Sequence, residues 1–153
     1  MYLALVYLHI VGVVIFAIAH GVSMFAAFRV RREADPRIVS AILAMSKTAV
    51  LVLYLGLLLL LVGGIGAAWH AGLLLAPWAI ASYVVLITLI GVMYVVATPY
   101  YVRVREVVGA DGDAAPDPEA LRELLDTRRP EILVAVGSIG LLVLLWLMVV
   151  RPT

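Results

Sequence analysis

Apolar residues in this chain fall into four long runs, over roughly 3–28, 45–69, 78–99 and 132–150, with polar residues gathered between them. Each run reaches the ~20 residues that a helix needs to cross a hydrocarbon core. The pattern predicts an all-α integral membrane protein, built as an antiparallel four-helix bundle in a single domain over 1–153. The third connection, 100–131, is the only sizeable polar piece. Within it, Asp117-Pro118-Glu119 reads as an N-cap, a first-turn proline and an acidic first turn. A short amphipathic helix is expected to follow as far as Asp126, with Leu121, Leu124 and Leu125 on one side. The segment 109–116 is turn-rich. Its Gly109-Ala110-Asp111-Gly112-Asp113 lacks the alternating ligands and closing Glu of a calcium loop, so a plain turn is expected.

Helical periodicity then assigns faces. In the first span, His9, Val13, Phe16, His20, Ser23 and Ala27 follow the 4-3-4-3-4 spacing of a bundle seam. Val11, Val14, Ile18, Val22 and Phe25 lie opposite and are bulky and apolar, as lipid contact requires. Gly12 flanks the seam and lets another helix or a flat ligand approach. The second span carries a stripe of Ala49, Gly56, Gly63, Gly66 and Ala67 that His70 continues. Small residues mark close helix packing in membranes. The fourth span has Gly137, Ser138 and Gly140. These glycine faces can serve within one chain or between two. A homodimer or a larger membrane partner therefore stays open beside the lipid bilayer.

Composition agrees with the runs. The chain is 65% hydrophobic and 14% charged, where soluble domains are about half apolar and a quarter charged. A net charge of +1 gives no case for a nucleic-acid partner. The absence of cysteine excludes disulfides, thiolate metal sites and cysteine nucleophiles. No basic segment precedes the first run, which is too long for a signal-peptide core, so it is expected to be retained as a span.

Charge distribution orients the bundle. Arg29, Arg31, Arg32, Arg37 and Lys47 surround the first connection; Arg103, Arg105, Arg122, Arg128 and Arg129 lie in the third; the second has no Lys or Arg. The positive-inside rule puts the first and third connections in the cytoplasm and both termini outside, in a bacterial inner membrane. Arg151 is the one basic residue on the other side. Arg29, Arg31, Arg32, Lys47, Arg103 and Arg105 are the expected lipid and orientation anchors.

No acidic residue lies in any expected span, which argues against a carboxylate proton relay or buried cation cage. The candidate chemistry rests on the three histidines, His9, His20 and His70. His9 and His20 share a helix face, being about 20° from register and roughly 16 Å apart along the axis. Three readings stand. The histidines pack as structural hydrogen-bonding groups in a membrane subunit. They bind haem b, with His9 and His70 as an outer pair or one alone, and His20 with a methionine such as Met24, Met45 or Met93. Or imidazole and thioether handle copper or another metal ion.

The segment Leu8-His9-Ile10-Val11-Gly12, opening a small four-span protein, resembles the first helix of CopD-type copper-resistance membrane proteins, their short bacterial relatives and HemJ-type protoporphyrinogen oxidases. Those often begin Leu-His-x-x-Gly, followed by Trp-x-Gly-Gly. Here Phe16 stands for the tryptophan, and Ile18 and Ala19 for the glycines. The resemblance implies that His9 is the functional histidine, a haem ligand by analogy with the HemJ case.

Overall fold

The protein is described here by a computed structural model that covers residues 1–33, 35–110 and 116–152. Helices α1 (Tyr2–Arg31), α2 (Pro36–His70), α3 (Pro77–Val92), α4 (Thr98–Val107), α5 (Pro118–Leu125) and α6 (Arg129–Val150) follow in order, with a π-helical turn, Met93–Ala97, joining α3 to α4. Four stretches are long and apolar enough to span a membrane: Tyr2–Arg31, Pro36–His70, Pro77–Val107 and Arg129–Val150. No strand occurs among the described residues. The expected turn over 111–115 lies outside them.

Two helix boundaries differ from the expected spans, each for a local reason. The second helix begins at Pro36, nine residues before the apolar run. Asp35 caps it by accepting from the Arg37 amide at 2.8 Å, and Pro36 takes the first helical position. The first connection is therefore only a few residues long, not the polar stretch up to 44. The third span was expected to end at Pro99, but it continues to Val107. Proline lacks an amide donor and crowds the carbonyl four residues back. The π-helical turn immediately before Pro99 is the adjustment that lets the helix carry on.

α1 lies along α2 more intimately than any other pair. Both helices carry small residues at heptad spacing: Gly12, Ala19 and Ala26 on one, Ala49, Gly56 and Gly63 on the other, all buried. Residue 12 faces 60, 16 faces 56 and 9 faces 63, which is one constant antiparallel register. The glycines alternate between partners, so backbone meets backbone along the contact. The seam expected on α1 is thus shifted by part of a turn. Gly12, Ala19 and Ala26 make the close approach, while His9, Phe16 and His20 border it half-buried. Val14, Ile18 and Phe25 are exposed, as expected for lipid contact.

α3 pairs with α6, and α6 also meets α1. The glycines of α6 are occupied within the chain: Gly137 receives His20, and Gly140 receives the Leu89 side chain. The arginine-rich end is closed by an apolar plug. Val30 of α1, Val39 and Leu43 of α2, Tyr100 and Val104 of α4, and Leu121 and Leu125 of α5 bury one another. The amphipathic helix therefore caps the bundle end through Leu121 and Leu125. Asp117 caps that helix, accepting from the amides of Glu119 and Ala120. An Arg31–Glu131 ion pair ties the end of α1 to the start of α6.

Candidate functional site

His9 sits where all four spans border a cavity of about 210 Å³ near the arginine-poor end. The walls are almost wholly apolar, with Val6 and Val13 of α1, Leu60 of α2, Leu86 of α3 and Leu144 of α6 among them. The ring is fixed by α2. His9 Nδ1 donates to the Leu60 carbonyl at 2.8 Å, an interaction that requires the proton on Nδ1 because a carbonyl only accepts. Gly64 makes the room, since a Cβ there would stand 2.7 Å from His9 Nδ1.

With the proton on Nδ1, Nε2 carries a lone pair when the ring is neutral and donates when it is doubly protonated. Nε2 points at the Met148 sulfur of α6, 3.4 Å away. A thioether is itself a weak acceptor. The imidazole nitrogen and the thioether sulfur thus face each other within hydrogen-bonding distance at the edge of an apolar cavity. Ser82 also lines the cavity, but its hydroxyl donates to the Trp78 carbonyl of its own helix at 2.8 Å.

The structure does not bring His70 to His9. The register that sets residue 9 opposite 63 sets 70 opposite 2, and His70 meets Tyr2 with ring centroids 6.2 Å apart. His70 thus stands about 9 Å beyond the level of Gly64 along α2. His20 lies in a niche of its own. It stacks on Phe16 with rings 6.1 Å apart and 6° from parallel. A Cβ on Gly137 would stand 2.9 Å from its Nε2 and 3.0 Å from the Met93 methyl carbon. His20 Nε2 and Ser23 Oγ are buried without a hydrogen-bond partner. Met24 accepts from Ser138 Oγ at 3.5 Å. Each seam histidine thus has a glycine of another helix beside it, but only His9 presents a lone pair to a cavity.

Two residues of the site escaped the sequence pattern. Met148 was one apolar position among many in the fourth span. Arg151 was the exception to the charge rule, and it lines the same cavity. The basic residues of the first and third connections lie toward the other end. Arg29, Arg32, Lys47 and Arg103 are exposed. Arg31 pairs with Glu131, and Arg105 donates to the Leu43 carbonyl at 3.0 Å. Among the described residues, no three His, Cys, Asp or Glu side chains come together as a metal-binding group.

The family described as "Predicted integral membrane protein (DUF2269)" matches residues 3–152, and the chain belongs to it. That description states no activity. Neither the curated proteins nor the solved structures include a significant match.

Proposed function

We propose that this member of the family binds haem b through His9 and serves electron transfer or redox sensing in a bacterial inner membrane. The observation that carries the reading is the donor set: one imidazole nitrogen and one thioether sulfur facing each other at an apolar cavity. A zinc ion takes three or four protein donors. Haem iron already holds four porphyrin nitrogens and asks the protein for one or two axial ligands. Two donors without a third are too few for the ion and enough for the haem.

The donor chemistry suits that group, whereas the cavity of about 210 Å³ must open to admit a porphyrin. His9 Nε2 is free to ligate, and the Leu60 carbonyl holds Nδ1–H as the outer partner that fixes a ligating imidazole. Met148 Sδ, 3.4 Å from Nε2, would be the second protein donor beside the iron once the two side chains part. Gly64 makes room for the His9 ring, and the aliphatic walls surround it with apolar groups. Bound haem supplies reversible one-electron chemistry. The chain contributes position, a low-dielectric surrounding and the choice of axial ligands, which together tune the potential. In this reading His70 is not a ligand, and His20 packs.

Hemin titrated into the purified protein in mild detergent is expected to give a saturable Soret band at one haem per chain. A non-saturating absorbance with no band shift counts against the reading. Met148→Leu is expected to retain the band and to lower the reduction potential, because a thioether axial ligand favours the reduced iron. A potential unchanged in a redox titration would remove Met148 from the ligand set.

The charge pattern supports an orientation with the cavity end outside. The chain has no cysteine, so single-cysteine reporters have no background. Gly72→Cys is expected to react with a membrane-impermeant maleimide in intact cells, and Glu123→Cys only after the membrane is opened. The reverse result inverts the topology.

A further inference from the structure

We infer that the arginine-rich end holds a second site, where the Tyr100 hydroxyl and the guanidinium groups of Arg31 and Arg129 bind the phosphate of an anionic phospholipid. The site lies at the opposite end of the bundle from His9 and is independent of the haem reading. Tyr100 of α4 is 4% exposed and packs in the apolar plug with Val30 and Val39. Its hydroxyl is buried and has no hydrogen-bond partner among the described residues. Leaving a buried polar group unpaired is costly, and nearly all such groups in folded proteins find a partner. A phenolic hydroxyl donates as well as accepts, so an anion is a partner it can take.

The surroundings of the hydroxyl select that anion. Arg31 of α1 and Arg129 of α6 both act on it electrostatically. Arg31 gives one Nη to Glu131, which leaves the other donors of its planar fork for a second acceptor. Arg129 is exposed and opens α6, whose N-cap residue, Arg128, provides no side-chain cap. The positive end of the helix dipole adds to the same field. Two guanidiniums and the one Glu131 carboxylate leave the group net positive. Phe28 lies three residues before Arg31, and Ile132 three residues after Arg129. Each therefore shares a helix face with its arginine, about one turn deeper in the apolar run. Both are exposed, 41% and 59%. A phosphate held by the arginines thus has apolar surface for acyl chains beneath it, as a headgroup at a membrane surface requires. The hydroxyl is covered in this structure, so the phosphate enters as neighbouring side chains turn aside, and Arg129 is long and exposed enough to do so.

The test titrates delipidated protein in neutral detergent with phosphatidylglycerol, phosphatidylcholine or inorganic phosphate. Native mass spectrometry counts bound lipid, and circular dichroism follows thermal unfolding. Wild type is expected to hold one phosphatidylglycerol per chain and to gain thermal stability saturably, with no such response to the zwitterionic lipid. Tyr100→Phe is expected to bind phosphatidylglycerol about tenfold more weakly, the scale of one hydrogen bond to a charged group. Without lipid the same variant is expected to unfold no earlier than wild type, because it removes a hydroxyl that has no partner in the protein. Arg129→Gln is expected to weaken the lipid likewise. Lys47→Gln, which removes an exposed cation toward the same end, is expected to leave it unchanged. A Tyr100→Phe protein that binds phosphatidylglycerol as tightly as wild type overturns the site, as does one destabilised without lipid. Equal losses in Lys47→Gln and Arg129→Gln reduce the effect to general surface charge and also overturn it. Inorganic phosphate that stabilises wild type and displaces the lipid at millimolar concentration assigns the site to a free phosphate and overturns the phospholipid.

Discussion

His9→Ala is expected to remove the Soret band of the haem-loaded protein, lowering hemin affinity by at least about 100-fold. Loss of even an outer-shell partner typically costs 10- to 100-fold at metal sites, and in the proposed reading His9 supplies the ligating nitrogen itself. His70→Ala and His20→Ala are expected to leave the band in place. His70 lies against Tyr2, outside the cavity lining. His20 Nε2 is covered where the ring meets Gly137 and offers no lone pair to an open space. Hemin titrations of the three variants separate the alternatives. An intact band in His9→Ala, or its loss in His70→Ala alone, transfers the site to a different histidine.

The second large effect belongs to the fold beneath the site. Gly63→Leu is expected to break the α1–α2 pair. A Cβ at Gly63 would stand 2.8 Å from both His9 Cα and the Leu5 carbonyl oxygen. These are backbone atoms, so no rotamer change relieves the clash and the helices must separate. Overpacking by one or two methylenes costs about 1–3 kcal/mol, so Gly63→Ala is expected to fall in that range. The leucine is far larger and should prevent a monodisperse fold. Gly66 is the control. Its neighbour is the Leu5 side-chain end, a flexible group, at 3.0 Å. Gly66→Ala is therefore expected to change the thermal midpoint little. Thermal unfolding in detergent, followed by circular dichroism and size exclusion, checks all three. A Gly63→Leu protein as stable as wild type would mean that α1 and α2 do not meet in this register.

That register also explains what the sequence made legible. Span number and approximate position follow from the apolar runs, because a bilayer accepts little else. The Leu8–Gly12 segment drew attention to the histidine that lines the cavity. The partner of His9 was a different matter. A short connection between two spans suggests level ends, and level ends bring His70 toward His9. The glycine contacts instead set residue 9 opposite 63. Bringing His70 to His9 requires a slip of two helical turns. The two heptad rows of small residues, 12, 19, 26 and 49, 56, 63, mark the contacting faces, but a slip of seven residues interleaves them equally, so the rows alone do not set the register. Met148 had no such signal. It reaches His9 across 139 residues of sequence, and an α6 residue among leucines and valines carries no local mark of the helix that it will face.

Boundaries went astray where hydropathy and backbone chemistry disagree. Residues 36–44 are helical because Asp35 and Pro36 start a helix there, whatever the polarity of the residues that follow. Pro99 ends the apolar run but not the helix, because the π-helical turn absorbs its missing donor. Arg151 violated the charge rule that the other basic residues obey, and the departure coincided with the mouth of the cavity.

The central claim is that His9 holds a haem. It meets its most direct test in a dithionite-reduced minus oxidised spectrum of the wild-type protein, purified in mild detergent from haem-replete cells. The expected result is a Soret band that shifts on reduction in the wild type and is absent from His9→Ala. A monodisperse wild-type protein that is colourless, and stays so after hemin titration, would contradict the claim.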